Sequence, residues 1–478
     1  MKLHTDKSRF GLNIKYFVKS SNIISELVTY IFSILLCTIL LGLQCIWIKA
    51  NYSTPCFKIA TPHVLADAKV DIKLIHLKPN QRITVTASAQ QFKSKTEYTA
   101  DANGQVNLYQ PKTNYPVAEK APLEIIWSMK ADPNWVNKNI TFNNSLDTFK
   151  ISLSAEKDGN EVARGEFELL YITSQVDRIP IHEGKLRGVF FRPKAKHRYP
   201  GIIVLSGSGG GIWEIQASLL ATHGYSVLAL AYFNYEDLPK NLVNIPLEYF
   251  AEAIKWLQKQ KCVQADNLAV IGTSRGGELS LLLASMFLQI KAVVARVPSH
   301  VVWGGFSADP KEVQTNAWTF EGKPLPNIET TQIDSIEEAR LLKENPEIFS
   351  PIFKLYLKDE EAVRKSIIPA ERIKGPVFLT SGEDDKLWPS AMMADLVIKR
   401  LSDHMHPYSY EHLSYKSAGH YVGKAVPNMP LGVTRQQHGL TKSWMEMGGT
   451  PEGNAFAAFD SWNRMLNFLD KTLNIKNK

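Results

Sequence analysis

Leu268-Ala269-Val270-Ile271-Gly272-Thr273-Ser274-Arg275-Gly276-Gly277-Glu278-Leu279 runs a short apolar strand straight into a helix. Four consecutive apolar residues suit a strand covered on both faces. Glycine stands two residues to either side of Ser274, because a strand-to-helix turn this tight leaves no room for side chains. The serine at its apex sits on strained backbone, with Oγ held out above the sheet. It also caps the N-terminal end of a helix, whose dipole favours developing negative charge. The context, more than the five letters Gly-Thr-Ser-Arg-Gly, predicts that Ser274 is a nucleophile.

Outward from this turn the same rhythm repeats. Gly201–Leu205, Ser226–Leu230, Ala292–Ala295 and Pro376–Thr380 are short apolar runs, and helical stretches such as Leu247–Gln260 and Arg275–Phe287 lie between them. Alternating strands and helices predict a mostly parallel sheet with helices on both faces, over residues 178–475. The rhythm lapses at about 298–370, which reads as an insertion over the C-terminal edge of the sheet. The depth of any pocket depends on how this insertion packs around Trp303, Trp318 and Phe320, so it is not readable from sequence. Residues 58–175 differ. Val70–Ile75, Arg82–Ala87 and Phe149–Leu153 alternate with period two between Gly, Asn and Pro turns, and predict a small all-β sandwich without helices.

A serine hydroxyl needs a base, and the base needs an orienting acid. In an α/β-hydrolase these follow in the order Ser, Asp or Glu, His. After the strand ending at Thr380 comes Ser381-Gly382-Glu383-Asp384-Asp385-Lys386-Leu387-Trp388-Pro389. Only one of the adjacent Asp384 and Asp385 can point inward, and the spacing to Gly382 and Pro389 favours Asp385. Further on, Ala418-Gly419-His420-Tyr421 follows the last strand and offers His420 as general base and acid. His412 lies inside that strand, and His438 reads as too far beyond it. For the oxyanion, Arg275 supplies one backbone N–H by construction of the turn. Ser206-Gly207-Ser208-Gly209-Gly210-Gly211 is expected to supply a second from Ser208 or Gly209. This loop lacks the lysine and the glycine spacing of a phosphate-binding loop.

The 478 residues carry a formal charge of +8, with 44% hydrophobic and 21% charged residues, as expected of a folded globular chain. Basic residues are scattered, so nucleic-acid binding is not expected. No Cys/His cluster has metal-ligand spacing, and no cofactor is implied. Of the four cysteines, Cys56 and Cys262 stand outside the apolar N-terminal run and could pair only in an oxidising compartment. That run, residues 27–48, is uncharged, follows a basic segment at 1–26, and as a helix would be roughly 33 Å long, enough to span a bilayer. The positive flank predicts a single-pass anchor, with the N-terminus cytoplasmic and the catalytic domains beyond the membrane. The rival reading is a cleaved signal followed by secretion.

With these residues assembled, the chain resembles the acyl-CoA thioesterase and bile acid-CoA:amino acid N-acyltransferase family, which joins an N-terminal β-sandwich to an α/β-hydrolase domain. The similarity runs from about Thr61 to Leu469. It includes Tyr98–Gly104 and Pro122–Trp127 in the first domain, and Ala231–Pro239, Ser274–Glu278, Asp384–Trp388 and Ala418–Tyr421 in the second. The resemblance implies an acyl-CoA substrate and a covalent acyl-enzyme released to water or to an amino acid. Amino-acid-conjugating members typically carry cysteine at the nucleophile position, so Ser274 points to hydrolysis. An extracytoplasmic location would leave acyl-CoA scarce, which keeps an ester or lipid hydrolase on the same scaffold in view. A non-enzymatic binding module is disfavoured because all three triad positions are filled.

Overall fold

The computed structural model describes residues 27–41, 54–110, 120–131, 145–309, 316–329, 335–432 and 434–473. Its centre is an eight-stranded sheet. In chain order the strands are β1 (Val176–Glu183), β2 (Leu186–Pro193), β3 (Tyr199–Leu205), β4 (Ser226–Ala231), β5 (Val263–Thr273), β6 (Ile290–Arg296), β7 (Val377–Gly382) and β8 (Tyr410–Tyr415). Across the sheet they run β1-β2-β4-β3-β5-β6-β7-β8. The contacts β1–β2 and β2–β4 are antiparallel, and every later pair is parallel. The five apolar runs read from sequence all lie in this sheet, where β3 and β4 are buried along their whole length. The chain steps outward from β3 to β4 and then crosses back to β5. That reversal opens a crevice at the C-terminal ends of β3 and β5, where ligands of open α/β sheets bind.

Helices cover both faces. On one face lie α1 (Glu214–Thr222) and α7 (Pro451–Thr472); on the other lie α2 (Leu247–Gln258), α3 (Arg275–Met286) and α6 (Ser390–Asp403). The helix α2 is a clear amphipathic case. Phe250, Ala253, Ile254 and Leu257 recur at three- and four-residue steps and are all buried. The face carrying α1 and α7 continues into the core of the N-terminal domain.

That domain is built of a six-stranded and a three-stranded sheet spanning Cys56 to Leu170, close to the expected sandwich. One correction applies: it is not free of helix. Glu124–Trp127 forms a single helical turn, entered through Leu123 at φ 54°, with all four residues buried. A segment this short shows no helical period in sequence.

The insertion holds a small sheet of Ile245–Pro246, Trp318–Phe320 and Lys323–Pro324, together with α4 (Ser335–Glu344), α5 (Ser350–Tyr356) and the short helix Glu360–Ser366. Of the expected transmembrane helix, 27–48, only 27–41 lies among the described residues. Among the described residues, no helix is long and apolar enough to cross a membrane. Residues 27–41 are helical with their apolar side chains exposed. The remainder of the expected anchor, 42–48, lies outside the described residues, as does the basic segment 1–26. Cys56 and Cys262 are both free thiols, so the possible bridge is absent.

Candidate active site

Strand β5 ends at Thr273 and α3 begins at Arg275, leaving Ser274 alone in the turn at φ 60°, ψ −122°. Positive φ at a non-glycine residue is a strained state that persists only when its surroundings enforce it. Two enforcers are visible. Ser274 N–H donates to the Arg296 carbonyl oxygen at 2.9 Å, and the Ser274 carbonyl accepts from Glu278 N–H at 3.0 Å. The flanking glycines are required by close approach. A Cβ on Gly276 would lie 2.3 Å from the Ser206 carbonyl oxygen, and one on Gly272 would lie 1.9 Å from that of Gly276.

Asp385 and His420 come together as expected. His420 Nδ1 lies 2.8 Å from Asp385 Oδ2, with both side chains buried. The carboxylate is itself held on every side. Ser390 Oγ donates to Oδ2 at 2.7 Å, while Leu387 and Trp388 N–H donate to Oδ1 at 2.9 and 3.1 Å. A carboxylate in this setting accepts only, which puts a proton on His420 Nδ1 and leaves Nε2 as the basic nitrogen. Asp384 points away: its carboxylate pairs with Lys386 Nζ at 2.5 Å and accepts from Gly449 N–H at 2.9 Å.

His420 opens a short 3₁₀ helix, His420–Gly423, and this helix is tied to the turn bearing Ser274. Thr273 Oγ donates to the Gly423 carbonyl oxygen at 2.5 Å. The buried Arg296 guanidinium donates to the carbonyls of Val422 and Ala425 at 2.6 and 2.9 Å. Arg296 thus holds the serine through its backbone and the histidine loop through its side chain. Burial depresses its pKa to about 10.

The glycine-rich loop after β3 lies against the serine: a Cβ on Gly207 would sit 3.8 Å from Ser274 Oγ. Gly210 and Gly211 adopt φ 67° and 70°, and their N–H groups are spent on the Gly207 and Phe233 carbonyls. Among the described residues, the N–H groups of Ser208, Gly209 and Arg275 have no such partner, which keeps all three expected oxyanion donors available.

A cavity of about 440 Å³ opens over Ser274, lined on one side by Trp303, Phe353, Ile352 and Trp388 and on the other by Ser208, His438 and Thr441. A larger cleft of about 840 Å³ runs past Asp384 and Lys386 but does not reach Ser274. Of the three aromatic residues around which the insertion packs, Trp303 lines the cavity. Trp318 is wholly buried, with its indole N–H on Glu278 Oε1 at 2.9 Å, and Phe320 packs on the core below.

Two contributors were not foreseen. The Arg275 side chain, beyond its backbone N–H, donates to the carbonyls of Trp303 and Gly304 at 2.9 and 3.0 Å and pins the start of the insertion above the serine. Its companion Glu278, 3.2 Å away, is wholly buried, and burial raises its pKa. His438, set aside as too distant, lines the cavity and sits 2.9 Å from Ser208 Oγ. Residues 435–437 and 444–446 pair as a hairpin that folds back onto the glycine-rich loop; the signal available in sequence was limited to the turn-forming His438-Gly439.

Residues 67–183 match the family described as acyl-CoA thioester hydrolase/BAAT N-terminal region, and residues 245–475 match BAAT/acyl-CoA thioester hydrolase C terminal. The mouse protein named acyl-coenzyme A thioesterase 2, mitochondrial, is 31% identical over 421 residues, covering 86% of this chain and 87% of its own. The chain belongs to the acyl-CoA thioesterase/BAAT family. Mouse acyl-coenzyme A thioesterase 1 is 30% identical over 416 residues, covering 85% of this chain and 94% of its own. Mouse peroxisomal succinyl-coenzyme A thioesterase is 27% identical, with 85% and 94% covered. Among solved structures, a putative dienelactone hydrolase from Klebsiella pneumoniae is 16% identical with a TM-score of 0.37, covering 62% of this chain and 98% of that one. A likeness that weak adds nothing to the sheet order of this acyl-CoA thioesterase/BAAT chain.

Proposed function

We propose that the protein hydrolyses fatty acyl-CoA to fatty acid and CoA, through Ser274 as nucleophile, His420 as general base and acid, and Asp385 as orienting acid. The observation that carries this reading is the strained Ser274 opening into an apolar-walled cavity, with the hydrogen-bonded Asp385–His420 pair on a turn that Thr273 fastens to the serine strand. His420 Nε2 takes the Ser274 proton as Oγ attacks the thioester carbonyl. The oxyanion is held by the N–H of Arg275 and by those of Ser208 or Gly209. As the tetrahedral intermediate collapses, the C–S bond breaks and the His420 proton goes to the departing CoA sulfur. Water, deprotonated by His420, then cleaves the acyl-serine ester. A serine ester is a less energetic acyl donor than a cysteine thioester, which favours water over an amine as acceptor.

The test is thiol release from acyl-CoAs of graded length by the full chain, run beside simple aryl esters and with glycine and taurine added. Hydrolysis lost in Ser274→Ala is the expected result. Conjugates formed with either amine would replace this reading with acyl transfer. Ester cleavage without thiol release would replace it with a carboxylic-ester or lipid hydrolase.

The uncharged run 27–48 supports a second proposal, a single-pass anchor with the catalytic domains outside the cytoplasm. Protease added to sealed, right-side-out cells should then remove activity. Full protection, with activity in the soluble fraction after lysis, would end that proposal.

A further inference from the structure

Two buried histidines of opposite polarity belong to this region: His438 lines the cavity over Ser274, and His420 packs against Trp388, which also lines it. His420 Nδ1 faces a carboxylate, so its proton lies there and Nε2 is basic. His438 Nδ1 instead accepts two backbone N–H groups, from Leu440 and Thr441, each at 3.2 Å. A nitrogen that accepts from N–H donors carries no proton, so the His438 proton must be on Nε2. Nε2 faces Ser208 Oγ at 2.9 Å.

Three features keep His438 in that neutral form. The ring is buried, Phe306 packs on it edge to face at 4.9 Å, and Lys442 and Lys424 both stand near enough to oppose a second proton. Burial first, and the two lysines after it, push the His438 pKa down to about 4. The pair is therefore not a second nucleophile and base, since Nε2 has no lone pair with which to take the Ser208 proton. It works in the reverse sense: Nε2–H donates to Ser208 Oγ, and the hydroxyl hydrogen is directed away from the ring.

Ser208 lines the same cavity as Ser274. It follows Gly207, whose added Cβ would be 3.8 Å from Ser274 Oγ, so the loop that carries the hydroxyl lies against the nucleophile. Among the described residues, His438 is its hydrogen-bond partner. The free O–H has the cavity to point into.

Resting on the acyl-serine reading above, we propose that the Ser208 hydroxyl, aimed by His438, is a side-chain donor to the oxyanion that forms on the substrate carbonyl. Ser208 is then a catalytic residue through its hydroxyl as well as its backbone N–H, and His438 is a positioning residue. Accepting from Nε2–H also polarises the hydroxyl and strengthens it as a donor. The whole arrangement is preorganised by the hairpin loop 438–443, so no reorientation is needed when charge develops.

The experiment measures kcat and KM for acyl-CoA in the full chain carrying Ser208→Ala, Ser208→Thr, His438→Phe and the Ser208→Ala/His438→Phe double substitution, with Ser274→Ala as reference. Losing one oxyanion donor is expected to lower kcat by about 10²- to 10³-fold with KM within about twofold. Ser208→Thr, which keeps the hydroxyl, should recover most of the loss. The double variant should be no worse than Ser208→Ala, because His438 acts through that hydroxyl. As a measurement independent of turnover, affinity for an alkyl boronic acid that forms a tetrahedral adduct on Ser274 should fall with Ser208→Ala by the same factor as kcat. Affinity for a non-hydrolysable thioether analogue should not change. Unchanged kcat in Ser208→Ala, or a rise in KM alone, overturns the proposal while an inactive Ser274→Ala leaves the nucleophile assignment standing. A fully active Ser274→Ala would bring down both.

Discussion

Thr273 Oγ donates to the Gly423 carbonyl oxygen at 2.5 Å, fastening the end of the strand that precedes Ser274 to the turn that begins at His420. The two residues are 150 positions apart in the chain, and the bond is buried. The spacing of Ser274 and His420 is thus fixed through the backbone beneath them.

Replacing Thr273 by valine keeps the shape but strips Gly423 of its donor. Leaving a buried carbonyl unpaired costs roughly 1–3 kcal/mol, and kcat should fall with it as His420 loses its registration. Thr273→Ser should restore both. Denaturant unfolding and thiol-release kinetics on the two variants check this; a valine variant with full kcat would mean that the Arg296 contacts alone suffice.

Asp385→Asn should fold normally yet lose about 10³- to 10⁴-fold in kcat, because an amide no longer fixes the proton on His420 Nδ1. Asp384→Asn, on the half-exposed neighbour paired with Lys386, should stay within about threefold of the parent, since a surface ion pair contributes little. Comparable losses in both variants would refute the division of roles between the two aspartates.

Phe353 stands between Trp303 and Trp388, with ring centroids 4.9 and 5.8 Å away, on the apolar wall of the cavity. Phe353→Trp should fill space and Phe353→Ala should open it. The optimum acyl length should move down in the first and up in the second, each methylene changing kcat/KM by about tenfold at the limit of fit. A length profile indifferent to both substitutions would locate the acyl chain elsewhere.

His300 is buried and its pKa is pushed down to about 4 by burial, from an ordinary 6.5. The unfolded chain therefore binds a proton that the folded chain refuses between these values. Stability is full above pH 6.5 and falls as the pH drops toward 4, with about 2 kcal/mol of loss at pH 5 from this residue. His300→Leu removes the refusal, so the difference in unfolding free energy between pH 7 and pH 5 should shrink by about that amount. Identical pH slopes for parent and variant would show that His300 is not the group responsible.

The parallel sheet was readable because buried strands leave continuous apolar runs, and each of the five runs became part of it. Ser274 was readable for the same local reason: the glycines that flank it are demanded by contacts with Ser206 and Gly276. Asp385 and His420 followed from chain order and turn composition. The turn Glu124–Trp127 was missed because four residues cannot display a helical period. The placement of Trp318 stayed open because an aromatic residue in an insertion gives no hint of whether it lines a cavity or, as here, bonds Glu278 beneath it.

Sequence by itself determined the family of the chain and singled out Ser274, Asp385 and His420 as the proposed triad, since each rests on short stretches whose backbone needs are local. Tertiary structure alone decided that His438 belongs to the site, because its bond to Ser208 joins residues 230 positions apart. The polarity of that histidine was likewise undecidable from the chain. Which ring nitrogen carries the proton is decided only by what meets Nδ1: a carboxylate for His420, and two backbone N–H groups for His438. Those partners are set by folding, and the side chain itself is indifferent to the choice.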